Sequence, residues 1–178
     1  MNNLRPVVLM MLLFALGCSQ KFQVYTVSDS DYDVRLFSGY TWFPMKDIEY
    51  GNNPLYYNEM NDKYIQAAVD RNLADRNFRR TDEPAELVLH YHIVERSMTV
   101  SREDPFFYHH APWMGPEPVY EDYTEGTLII DIMEKKSNAL VWRGLAKGFF
   151  NTAQPYLSKK DIDAAIDRIF KDFPTAFF

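Results

Sequence analysis

The four histidines are the residues of this sequence best suited to chemistry. His90 and His92 stand two apart in a segment that alternates like a β-strand, so both imidazoles leave the same face, while His109 and His110 follow in a long loop. Two imidazoles on one face with a third from the loop could bind zinc or copper. Two acids could add an oxygen ligand: Glu95 and Asp104. Histidine pairs on a solvent-facing strand are also commonly plain polar surface, and the sequence leaves both interpretations open.

The sequence contains few other patterns that indicate catalysis. The sequence contains no Gly-x-Ser-x-Gly elbow, no HExxH helix and no glycine-rich loop that could cradle phosphates, and its carboxylates show no spacing that singles out an acid and a base. A hydrolytic site would have to use the predicted sheet face that carries His90, His92, Asp131 and Arg143. We therefore expect a protein that is not an enzyme and has no cofactor, with a metal-binding or hydrolytic site on that face as the alternative.

The single cysteine predicts where the protein works. Cys18 follows, after Gly17, an apolar run, Val7–Leu16. The run comes after one basic residue, Arg5, as in a secretory signal. The run is about half the roughly 20 apolar residues that a spanning helix needs, so it is not a transmembrane anchor. The segment resembles a bacterial lipobox, which implies a signal peptide over residues 1–17 and fatty acylation, as with palmitate, of Cys18. An ordinary cleaved signal is the alternative.

Composition limits the partners. Removing residues 1–17 leaves 18 basic residues, because Arg5 is lost from 19, against 25 acidic ones, so the mature chain carries about −7 instead of −6. A nucleic acid is not expected to bind, because its phosphates would be repelled. The membrane is the expected partner, through the lipid on Cys18 and a short tether over residues 18–21. The remaining residues, 22–178, are expected to form one domain.

A stretch rich in aromatic residues and proline, Ser101 to Glu125, is predicted to be a long loop between two strands. Its candidate contact residues for an envelope protein or a glycan are Phe106, Phe107, Tyr108 and Trp113. The alternative is that several of these rings fold back and cover the sheet.

The elements that must position these residues follow from periodicity. Helical spacing of Ile65, Ala68, Val69 and Leu73 predicts a helix of about four turns that begins near Leu55. A second helix is predicted after the capping residue Ser158 and before Pro174. The predicted strands start near Phe22, Tyr40, Leu87, Thr127 and Leu140. The order predicts an α+β fold, a mainly antiparallel sheet of about five strands with two helices packed on one face.

Within the predicted hairpin of the last two strands, Asp131 and Arg143 share the face opposite the apolar alternation. They are expected to form an exposed cross-strand ion pair worth less than about 1 kcal/mol.

Several short motifs together resemble one protein family. In chain order they are Asp31–Asp33 with Tyr40–Trp42, Ala85–Tyr91, Gly126–Asp131, Val141–Gly144 and Phe173–Pro174. They resemble lipoproteins of the domain-of-unknown-function 4136 family over roughly residues 22 to 175, with departures at Glu86 and at Val34–Leu36. The resemblance implies a compact α+β envelope lipoprotein of Gram-negative bacteria with no established enzymatic activity, and it transfers no catalytic residue.

Location follows from the same end of the chain. Ser19 stands where an Asp would retain a lipoprotein on the inner membrane in enteric-type sorting. We therefore expect anchoring to the outer membrane, facing the periplasm, with the inner membrane and the cell surface left open.

Overall fold

The computed structural model describes residues 22–43, 56, 58–82, 84–103, 118–151 and 157–177. Its strands are β1 (Gln23–Ser28), β2 (Gly39–Trp42), β3 (Arg79–Arg80), β4 (Leu87–Glu103), β5 (Pro118–Glu134) and β6 (Leu140–Asn151). The helices are α1 (Glu59–Ala74) and α2 (Lys159–Ile169), and a single 3-10 turn covers Val34–Leu36. The cysteine at position 18, the signal over residues 1–17 and the tether over 18–21 lie outside the described residues.

The six strands form one sheet in the order β1-β6-β5-β4-β2-β3. The pairs β1–β6, β6–β5 and β5–β4 are antiparallel, whereas β2 pairs parallel with both β4 and β3. The predicted α+β class and the predicted element order are confirmed. The strand missing from the prediction is β3, because two arginines carry no strand signal of their own.

Both helices cover the same face of the sheet, which is the core face. Alternate residues of β4 and β5 point into it, and all are buried: Leu87, Leu89, Tyr91, Ile93, Leu128, Ile130 and Ile132. The rings of Trp142, Phe170 and Phe173 pack against one another beneath α2, with centroids 4.9–5.2 Å apart. The opposite face of the sheet, called the open face below, has no helix on it in the described part of the chain.

Local signals explain the helix boundaries. Asn58 caps α1 by accepting a hydrogen bond from the Asn61 backbone N–H, so the helix begins four residues after the predicted start at Leu55. Ser158 caps α2 by accepting from the Asp161 N–H, as its spacing predicts. The apolar stripe of α1 is buried as predicted, at Ile65, Ala68, Val69 and Leu73.

One buried polar contact joins α1 to β2. Asp70 Oδ1 accepts hydrogen bonds from the Tyr40 hydroxyl at 2.8 Å and from the Trp42 indole N–H at 2.9 Å. Arg80 donates to the other oxygen at 2.8 Å. Burial and the hydrogen bond to Asp70 raise the pKa of the Tyr40 hydroxyl well above its ordinary range. The contact gives two buried donors their acceptor where a helix meets the sheet.

The predicted loop from Ser101 to Glu125 is too long. β4 continues to Glu103 and β5 begins at Pro118, and the two strands pair in register as far as Glu103 opposite Pro118. Polar side chains and Pro118 mask the period-two pattern in these strand ends, which backbone pairing nevertheless extends. The connection is therefore residues 104–117, and Phe106, Phe107, Tyr108 and Trp113 lie outside the described residues.

Two glycines of β6 stand where the backbone needs a special conformation or a close contact. Gly148 adopts φ 72° where the β5–β6 register shifts next to Gly126. At Gly144, an added Cβ would collide with Trp142 and with Ile169 of α2, so the helix packs closely on the strand.

In the described residues, no helix is long and apolar enough to cross a membrane.

Candidate functional site

The candidate site lies on the open face, where two histidines share one strand. His90 and His92 are both half-buried on β4, and their rings stack with centroids 5.5 Å apart and an interplanar angle of 25°. The Phe43 ring approaches His90 edge-on, with centroids 6.1 Å apart. The placement of both imidazoles on one face, predicted from their spacing, is confirmed.

The neighbouring strand supplies a carboxylate. Asp131 of β5 stands directly opposite His90 in the antiparallel register and is only 6% exposed. One ligand atom each from His90, His92 and Asp131 lie within 4.8 Å of one another. Two imidazole nitrogens and one carboxylate oxygen therefore lie near one another on the open face.

The next strand fixes the carboxylate. Arg143 of β6 pairs with Asp131 in register and donates from Nε to Oδ1 at 2.6 Å and from a terminal nitrogen to Oδ2 at 2.8 Å. This two-point contact raises the pKa of the Arg143 guanidinium. The Arg143 side chain is 39% exposed, as the prediction of an exposed pair requires, but the Asp131 side chain is only 9% exposed. Its carboxylate therefore sits in a medium of low polarity.

Burial favours the uncharged form of both histidines. Desolvation lowers the pKa of His90 and of His92 below the ordinary 6.5, and the nearby Asp131 carboxylate opposes the shift only in part. Nδ1 of His92 is buried and has no hydrogen-bond partner in the described part of the chain. A buried nitrogen lone pair or N–H without a partner is costly, and a bound ligand would remove that cost.

Half-buried apolar side chains surround the cluster. Those on the same face of the sheet are Val88, Ile129, Met133 and Leu145. Together with Phe43 they surround the polar cluster with apolar surface. Such surroundings strengthen electrostatic contacts inside the cluster, because fewer water molecules screen them.

The other predicted metal ligands do not join the cluster in the described part of the chain. Glu95 is wrong as an oxygen ligand, because an odd-numbered residue of β4 shares the core side with Tyr91 and Ile93, opposite to His90 and His92. Asp104, His109 and His110 lie outside the described residues. The oxygen ligand that the structure brings together with the histidines is Asp131, which the sequence placed on the right face but not beside His90.

A cavity elsewhere on the described part of the chain does not include the cluster. A shallow cavity near the β5–β6 turn is lined by Phe37, Ala85, Glu86, Glu134, Lys135 and Lys136, and by none of the four cluster residues. This cavity is therefore not part of the candidate site.

The fold resembles solved structures at low sequence identity. A DUF4136 family protein from Bacteroides thetaiotaomicron VPI-5482 aligns with a TM-score of 0.53 at 15% identity, over 86% of this chain and 96% of that one. A PDZ domain protein from Parabacteroides distasonis ATCC 8503 aligns with a TM-score of 0.51 at 12% identity, over 98% of this chain but 41% of that one. These similarities show the fold alone. No curated protein matches the sequence.

Family membership follows from the sequence itself. The profile of the family described as a domain of unknown function, DUF4136, matches residues 24–175, which is nearly the span of the motifs in the sequence. Because that match covers most of the 178 residues, the chain belongs to the DUF4136 family.

Proposed function

We propose that this chain is a lipid-anchored protein of the bacterial envelope whose open sheet face binds a divalent transition metal, zinc or copper, through His90, His92 and Asp131. The observation that carries the metal assignment is the convergence of their three ligand atoms within 4.8 Å. Two imidazole nitrogens with one carboxylate oxygen are a common donor set for such ions.

The protonation state of the histidines favours binding. A metal displaces the proton of a charged imidazole, so ligands that are already neutral bind with less competition from protons. Burial lowers the pKa of both His90 and His92, so protons compete less with a metal for each ring. The partnerless Nδ1 of His92 gains an interaction when an ion, or a water on it, occupies the site.

Arg143 supports the site from the next strand. A carboxylate has about four lone-pair positions, so Asp131 can accept both hydrogen bonds from Arg143 and still offer a lone pair to an ion. Outer partners of this kind orient the ligand, and losing one typically costs about 10- to 100-fold in metal affinity. Arg143 is a positioning residue in this proposal.

Calorimetric titration tests the metal site directly. Zinc and copper are titrated separately into the full chain in detergent. We expect binding at micromolar metal or tighter, and a loss of at least about 10-fold for His92→Gln and for Asp131→Asn. If neither zinc nor copper binds at micromolar concentration, the proposal is wrong.

Matched variants exclude non-specific binding. Glu95→Gln removes a carboxylate from the same strand on the opposite face, and it is expected to leave the affinity unchanged. His109→Gln and His110→Gln test whether the loop histidines add a ligand. Equal losses for Glu95→Gln and His92→Gln would show a charge effect and contradict the assigned site.

The anchor is tested at Cys18. Acyl chains contribute about 0.8 kcal/mol per buried methylene, so a protein with several chains stays on the membrane after washing. Cys18→Ser is expected to lose labelled palmitate and to leave the outer-membrane fraction, whereas Ser19→Ala is expected to retain both. A Cys18→Ser chain that still fractionates with membranes would contradict the lipid anchor.

The proposed role is binding, not catalysis. The apolar surroundings of the cluster support this. The alternative, a hydrolytic site on the same face, is tested with the zinc-loaded chain and activated carboxylic and phosphoric esters. Acceleration that disappears in His92→Gln but persists in Glu95→Gln would favour the enzyme.

An envelope protein or a glycan is the proposed macromolecular partner, contacted by Phe106, Phe107, Tyr108 and Trp113. The pairing of Glu103 with Pro118 provides a sharp test, because a two-residue Asn-Gly turn can replace residues 104–117 and close the hairpin. An unchanged melting temperature with loss of cross-links to an envelope component would support the contact. A large loss of stability would instead assign the aromatic residues a structural role.

A further inference from the structure

The two edges of the sheet differ in their protection against pairing with another strand. The β3 edge has two residues, Arg79 and Arg80, and both are charged and exposed. The β1 edge has six residues, Gln23–Ser28, without a charge or a proline, and it pairs with β6 without a register shift. Charge and shortness are the usual protections of an edge strand, and β1 has neither.

Within the described residues, the backbone groups of β1 that point away from β6 can be identified. The Asp29 N–H donates to the Val141 carbonyl at 3.1 Å, and the β1–β6 register places Ser28 opposite Trp142. In an antiparallel pair, successive residues point their backbone groups alternately toward and away from the partner strand. Tyr25 and Val27 therefore bond to β6, as Asp29 does, and the N–H and C=O groups of Val24, Thr26 and Ser28 face the open edge.

We propose that β1 pairs with β1 of a second copy of this chain, antiparallel, about a two-fold axis that is perpendicular to the sheet and passes midway between Thr26 and the partner's Thr26. In this register Thr26 opposes the partner's Thr26, and Val24 opposes the partner's Ser28. All three edge-facing residues then find a partner. The two sheets join into one, with the open faces on the same side.

Side chains support the same register. Tyr25 and Val27 are 52% and 63% exposed on the open face, and the proposed register sets Tyr25 beside the partner's Val27. Aromatic and β-branched residues make favourable cross-strand pairs, particularly at positions without mutual hydrogen bonds, where strands lie closest. A one-residue slip would oppose core-facing to open-facing side chains, and a two-residue slip would leave an edge residue unpaired.

Charge favours an identical strand as the occupant. β1 carries no charged side chain, so two copies meet without repulsion. The contact is small compared with stable interfaces, so the dimer is weak in solution, and confinement on a membrane would strengthen it. The inference does not depend on the metal site.

Disulfide trapping tests the register. In a full chain carrying Cys18→Ser, which removes the single native thiol, one preparation carries Tyr25→Cys and another carries Val27→Cys. Mixed and oxidised in detergent, they are expected to form covalent dimers, because the proposed pair lies within disulfide reach. Each variant alone should cross-link far less. Equal cross-linking alone and mixed would overturn the register.

Proline variants test the dimer independently. Thr26→Pro removes an N–H that faces the edge, so the chain should keep its melting temperature and sediment as a monomer at concentrations where the parent dimerises. Tyr25→Pro removes an N–H bonded to β6 and should lower the melting temperature. A parent chain that stays monomeric at high concentration, or a Thr26→Pro chain that still dimerises, overturns the proposal. Pairing of the β1 edge only with a different protein would do the same.

Discussion

Asp131 and Arg143 face each other on neighbouring strands and are joined by two parallel hydrogen bonds of 2.6 and 2.8 Å. The carboxylate is buried and the guanidinium is partly exposed, so Arg143 holds a negatively charged carboxylate in place on the open face. His90 and His92 lie beside this charge, which links the strength of the pair to the properties of the candidate site.

Replacing Arg143 with Gln is expected to lower the free energy of unfolding by about 1–3 kcal/mol, because the buried carboxylate loses its charged partner. Urea unfolding of the metal-free protein measures the change. In a double-mutant cycle, the variant with both Asp131→Asn and Arg143→Gln should lose less free energy of unfolding than the sum of the losses in the two single variants. Strict additivity would show that the two side chains do not interact.

The Asp131–Arg143 pair was predictable because a tight turn joins its strands. Turn residues at Lys135–Ser137 fix the β5–β6 register within a few residues of the pair. The position of Asp131 opposite His90 was not predictable in this way, since the two residues are separated by a long connection whose length does not determine the register. Alternation gives the face of a strand, and only pairing gives the neighbour.

Acidification is expected to destabilise the metal-free protein through the two histidines. Because burial holds the pKa of His90 and His92 below the unfolded value of 6.5, the unfolded chain binds more protons as the pH falls below that value. Their contribution to the free energy of unfolding is therefore lost as the pH falls through this range, and the loss ends once the folded pKa values are passed.

Urea unfolding with a chelator at pH ~7.5 and ~5 measures this effect. The groups that face the rings act in opposite directions: the Asp131 carboxylate favours protonation, while Arg143 opposes it at His92. The variant with both His90→Gln and His92→Gln should lose less stability on acidification than the parent. An equal loss in both would assign the pH dependence to other groups.

Gly144→Ala is expected to destabilise the fold by about 1–3 kcal/mol, because the added methyl would collide with Trp142 and Ile169 in a packed interior. Gly39→Ala is the milder comparison, since its Cβ would lie 3.1 Å from the Pro84 carbonyl oxygen and 3.2 Å from a Thr81 methyl group. Melting temperatures of the two variants provide the ranking. A larger loss at Gly39 would contradict the close contact between α2 and β6.

The sequence predicted the apolar contacts of the helices better than the polar ones. Helical spacing identified Ile65 and Val69 as buried, because a stripe of apolar residues is a local pattern. Asp70, by contrast, lies off that stripe. Its role depends on Tyr40 and Trp42, which come from a strand about 30 residues earlier and meet it only in the folded chain.

Asp70→Ala is expected to lower the free energy of unfolding by about 2–4 kcal/mol, because the buried Tyr40 hydroxyl and Trp42 indole N–H both lose their acceptor. Asp70→Asn retains a carbonyl oxygen that can accept both hydrogen bonds and loses mainly the partly exposed ion pair with Arg80, so its effect should be smaller. Asp75→Ala, at the exposed C-terminal cap of α1, is the control and should change stability by less than about 0.5 kcal/mol. If Asn were as disruptive as Ala at position 70, the negative charge and not the acceptor oxygen would be what holds α1 to the sheet.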